Sequence, residues 1–128
     1  MDTSQELSQL ARIYRRTAHQ ILRLRIENRL SLTEKRQKDF TNVERELRDY
    51  AARLSLLSVI QLGSELEVEL QDLESVTTKL EERIQQLKSL EKAMKIATML
   101  IGLGAGILTV NSEEIKANIT GIAEEISG

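Results

Sequence analysis

The 128-residue chain has no proline and no cysteine, a single histidine (His19), and three aromatic residues, Tyr14, Phe40 and Tyr50. An average chain of this length would carry about six prolines. Their absence argues against a loop-rich β fold and for long, uninterrupted helices. Without cysteine there is no disulfide and no thiol chemistry, and one histidine cannot build a zinc centre. His19 stands among arginines with no glutamate three residues before it, so the Glu-x-x-His pattern of di-iron bundles is missing. Neither sign of charge dominates: 18 Lys+Arg face 20 Asp+Glu, for a net −2. With 41% hydrophobic and 30% charged residues, the chain is too apolar and too balanced to be intrinsically disordered. Its first thirty residues are polar and arginine-rich, without the apolar stretch and small-residue cleavage site of a secretory signal. An intracellular, cytoplasmic location is expected.

What is present is helical periodicity. Leu7, Leu10, Tyr14, Ile21 and Leu24 recur at steps of 3, 4 and 7, with Thr17 and Asn28 interrupting the stripe. Leu22, Ile26 and Leu30 form a second, shorter stripe beside it. Ser31 and Glu34 have the spacing of a capping box, which marks a new helix start, although a continuous helix over 4–62 is the competing reading. Phe40, Val43, Leu47, Tyr50, Leu54 and Leu57 alternate by 3 and 4, as in the seam of a coiled coil or bundle. A new register follows through Leu66, Leu70, Leu73, Leu80, Ile84, Leu87 and Met94, and Gly63-Ser64 sits at the change of phase. A tight turn there would fold two helices into an antiparallel hairpin. The period-2 run 65–70 allows a β-hairpin instead. Farther on, Asn111 is placed to cap a last helix carrying Ile115, Ile119, Ile122 and Ile126.

Charge is unevenly spread. Residues 10–38 hold nine bases and two acids, whereas residues 39–91 hold twelve acids and six bases. Arg12, Arg15, Arg16, Arg23, Arg25 and Arg29 thus form a basic face that could meet phosphates. The near-cancellation favours pairing with the chain's own acids, through Glu65, Glu67, Glu69, Asp72 and Glu74. No aromatic residues interleave the arginines for base stacking, which argues against nucleic acid. Gly102-Leu103-Gly104-Ala105-Gly106 lacks the Lys-Ser/Thr of a phosphate loop. Thr98, Gly102 and Gly106 instead recur every four residues and would open a groove for another helix, in water or in lipid. The uncharged run 96–112 would make about 26 Å of helix, short of a bilayer core of about 30 Å.

The expected fold is all-α: a single domain over 1–128, a long antiparallel helical hairpin or bundle of coiled-coil character. Helices are expected at about 4–30, 33–62, 64–109 and 112–126, the last packed on the glycine-bearing one. One seam per helix implies a small core, so self-association, most simply as a two-fold dimer, is expected to bury the Phe40–Leu57 seam. Adjacent glutamates (Glu81-Glu82, Glu113-Glu114, Glu124-Glu125) diverge by about 100° on a helix and make no acid/base pair. The expected function is therefore non-catalytic, without cofactor or metal: a scaffold or adaptor that binds itself and could also bind another helical protein. The alternatives are a membrane-active protein inserting 96–110 and, third, a nucleic-acid-associated protein using the 12–38 basic face.

Overall fold

The computed structural model describes residues 3–57 and 67–127, with the side chains of 6–57 and 72–127. Five α-helices pack against one another: α1 (Thr3–Glu27), α2 (Glu34–Leu57), α3 (Glu67–Arg83), α4 (Leu90–Leu108) and α5 (Ser112–Ser127). Among the described residues there is no strand. Residues 67–70 are helical, so the period-2 run does not form a hairpin there. The turn expected at Gly63 lies outside the described residues.

Contacts between helices fix their directions. Arg25 meets Glu44 while Tyr14 and Tyr50 share Gly104, so α2 runs antiparallel to α1. Arg12 meets Glu81 and Gln20 meets Leu87, so α3 runs parallel to α1. Arg36 meets Glu91 and Tyr50 meets Gly104, which sets α4 parallel to α2. Finally Gly106 opposes Ile115, Gly102 opposes Asn118, Gly121 opposes Met99 and Lys95 opposes Glu125, an antiparallel hairpin held in one register. The result is an up-down-up-down-up bundle.

α1 and α2 are separate helices. The side-chain and backbone N–H groups of Asn28 both donate to the Leu24 carbonyl, at 2.7 and 3.0 Å, closing α1. The cap of α2 is Thr33, not Ser31: its hydroxyl accepts from the Arg36 N–H at 3.2 Å, while Ser31 Oγ donates to the Asn28 carbonyl. The single helix expected over 64–109 is also broken. A 3₁₀ turn (Ile84–Gln86) leads to an extended Leu87, and Ser89 restarts the chain by accepting from the Lys92 N–H. Asn111 caps α5 as the sequence indicates, accepting from the Glu114 N–H at 3.2 Å.

α1 is central, touching α2, α3 and α4. Besides its apolar stripe it buries Ala11, Ile13, Ala18, Thr17 and Gln20, three faces rather than one. The described residues thus bury a core running through all five helices, larger than one seam per helix implies. The buried line of α2 is Phe40, Glu44, Leu47, Ala51 and Leu54, with Val43, Tyr50 and Leu57 half-buried at its flanks. Helices of the same chain cover this seam, so no second copy is needed to bury it. The apolar face of the stretch 96–110 is likewise covered by protein: Ile96, Leu100, Leu103 and Ile107 are at most 1% exposed. No helix among the described residues is long and apolar enough to cross a membrane.

The α4–α5 turn stores strain. Asn111 N–H donates to Gly106 and Val110 N–H to Ile107, the paired bonds of a helix C-terminus that place Val110 at φ 54°. A β-branched residue there costs about 1–2 kcal/mol. Val110 is half exposed and contributes little packing in return. Val110→Gly is therefore expected to stabilise the protein by about 1 kcal/mol, raising Tm by about 4 °C in a thermal melt. A lower Tm would show that the side chain matters more than the strain.

Candidate functional site

The outer face of α1 carries a band of basic residues. Arg12, Arg15, Arg16, His19 and Arg23 recur at steps of three and four and, with Gln20, Ile84 and Gln85, line a cavity of about 340 Å³ against the 3₁₀ turn. One acid of another helix pairs with two of these arginines. Glu81 of α3 lies 2.7 Å from Arg12 and 3.1 Å from Arg16, and accepts from Gln9 at 3.4 Å. These are half-exposed pairs, each worth at most about 1 kcal/mol, and they orient α3 more than they stabilise it. Arg23 only approaches Glu27, at 3.9 Å. Arg15 and His19 are exposed and have no ion pair among the described residues.

Two members of the expected basic face behave differently. Arg29 lies in the α1–α2 turn, exposed. Arg25 turns inward, its Nε 2.9 Å and its Nη2 3.4 Å from the two oxygens of Glu44, which is 3% exposed. This forked pair ties α1 to α2. The basic residues do pair within the chain, but through Glu81, Glu44 and Glu91 rather than Asp72 or Glu74. Glu65 lies outside the described residues, as do the side chains of Glu67 and Glu69. The apolar pattern alone misses the burial of Glu44, although its place four residues after Phe40 and three before Leu47 puts it on the seam.

Further buried polar groups hold helices together. Tyr14 donates its hydroxyl to the Leu100 carbonyl of α4, and Gln20 donates to the Leu87 carbonyl at 2.6 Å, closing the 3₁₀ turn onto α1. Burial pushes the Tyr14 phenol well above its ordinary pKa, against the opposing pull of the Gly104 N–H, so it stays a neutral donor. Glu6, 4% exposed, is the exception: neither of its oxygens has a hydrogen-bond partner among the described residues. Its pKa is raised, first by burial and then by Glu74.

The glycines of α4 serve two faces. A Cβ on Gly106 would lie 3.0 Å from Ile115 Cγ1 and 3.3 Å from its backbone nitrogen, and one on Gly102 would meet the Asn118 amide at 2.8 Å. Both let α5 approach. Thr98, expected on the same groove, is exposed and bonds back to Met94. Gly104 faces the other way, where a Cβ would lie 2.9 Å from Tyr50 Cδ1 and 3.0 Å from the Tyr14 oxygen. Spacing alone does not reveal this second contact.

A larger open groove of about 500 Å³ lies between α3 and α5, with Ile119 and Ala123 among a polar rim of Asp72, Lys116, Thr120, Glu124 and Ser127. Among the described residues no group of three or more His, Asp or Glu could hold a metal ion. Comparison of the chain with protein-family models, curated proteins and solved structures finds no match.

Proposed function

We propose that the protein is a non-catalytic helical adaptor or scaffold, assembling through the outer faces of its bundle. The partner is a second copy, most simply in a two-fold dimer, or another helical protein. The supporting observation is the α3–α5 groove. An apolar floor (Ile119, Ala123) between polar rims is the form in which an amphipathic helix seats its apolar side. The inward-facing polar groups point the same way in kind: Tyr14, Gln20, Arg25 and Glu44 each join one helix to another element of the bundle. The Phe40–Leu57 seam is taken up inside the bundle, so this assembly surface replaces it.

Sedimentation velocity at micromolar concentration tests the reading. The wild type is expected to sediment as a dimer. Thr120→Arg, at an exposed position in the groove, should shift it to monomer while leaving the helical circular dichroism unchanged. A wild type that stays monomeric across that range, with no change in the variant, would remove the self-assembly reading.

A further inference from the structure

The arginine band of α1 does not stop at Arg23. The same outward face continues at steps of three and four to Ile26, and Leu30 follows in the turn. Ile26 is 48% exposed and Leu30 95%. Fully exposed leucine beside a helix is unfavourable in water and is rewarded where apolar surface can be withdrawn from it. Beside the pair stand Arg23 and Arg29, both exposed, with Arg15 and His19 farther along the band. Glu27 is the acid on its edge and reaches only to within 3.9 Å of Arg23.

We propose that this face of α1, with the α1–α2 turn, docks on an anionic lipid surface. The arginines meet headgroup phosphates, and Ile26 and Leu30 enter the headgroup–acyl boundary. A basic band running into exposed aliphatic residues is the composition that holds a helix in that boundary. Nucleic acid fits the same charge less well. It rewards aromatic stacking, and Tyr14 and Phe40 are buried while Tyr50 is half-buried on another helix. The inference does not use the 96–110 segment, whose apolar face packs inside the protein, and it is independent of the α3–α5 groove.

The test is flotation of the full chain with vesicles of phosphatidylcholine alone and of phosphatidylcholine mixed with phosphatidylserine. Binding is expected at least tenfold stronger to the mixed vesicles, and Arg15→Glu with Arg23→Glu should abolish it. Ile26→Ser with Leu30→Ser should weaken it about tenfold, from the lost apolar burial alone. These positions lie outside the core, so the variants should melt as the wild type does. Emission from Leu30→Trp should shift to the blue when mixed vesicles are added. Absence of flotation, equal flotation with neutral vesicles, or an unshifted tryptophan would overturn the proposal. So would serine variants that bind as well as the wild type, which would leave a charge-only site for an acidic protein or nucleic acid.

Discussion

Leu47→Glu is expected to unfold the protein. Leu47 is fully buried in the line that α2 presents to the rest of the bundle. Losing such a leucine costs about 2–5 kcal/mol, and burying an unpaired carboxylate in its place costs several more. Together these reach the whole stability of an ordinary domain, about 5–15 kcal/mol. Far-UV circular dichroism should therefore show lost helix at every protein concentration. A variant that remains helical but changes from oligomer to monomer would mean that the seam is shared between copies instead.

Glu6→Leu should act in the opposite direction. The wild-type carboxylate is buried with neither oxygen hydrogen-bonded among the described residues, and Glu74 repels it. An unsatisfied buried group of this kind costs about 1–3 kcal/mol. Glu6 also lies in the first turn of α1, where a negative charge is favourable by about 0.3–1 kcal/mol, so the burial penalty outweighs the helix-dipole gain. Leucine at this position is expected to raise stability at pH 7 by about 1–2 kcal/mol. The pH dependence follows from the raised pKa. The folded protein holds this proton more tightly than the unfolded chain, so the contribution is favourable below the ordinary carboxyl pKa. It is lost as pH rises through the higher folded value. The gap between variant and wild type should then be wide at neutral pH and close on acidification. Urea unfolding at a series of pH values would measure it, and two parallel curves would refute the assignment.

Much of the architecture can be read from residue spacing, and each failure has a physical cause. Steps of three and four identify the faces of α1, α2 and α5 because a buried helix face must be apolar at that period. They do not reveal that α1 packs against three helices, since Ala11, Ala18 and Thr17 carry little hydrophobic signal, yet small side chains are what let neighbouring helices come close. The break before α4 has a weak marker. Continuing the register of Leu80, Ile84 and Leu87 by four places Glu91 on the seam, and the chain restarts at Ser89 instead. Charge balance indicates that the arginines have acidic neighbours. Which ones depends on the register between helices, and that puts Glu81 rather than Asp72 opposite Arg12. The face of Gly104 is not legible either, because two residues turn a helix by about 200° and its tyrosine partners lie far away in sequence.

The placement of α1 at the centre has a consequence for how the protein is made. Its tyrosine at position 14 is completed by a carbonyl 86 residues later in the chain. A polypeptide synthesised from its amino end can close the α1–α2 pair early, yet the faces that α1 turns to α3 and α4 stay uncovered until those helices have emerged. Long-range closure of this kind slows folding compared with a bundle built only from neighbouring hairpins. In that interval the uncovered apolar faces of α1 are open to misassociation.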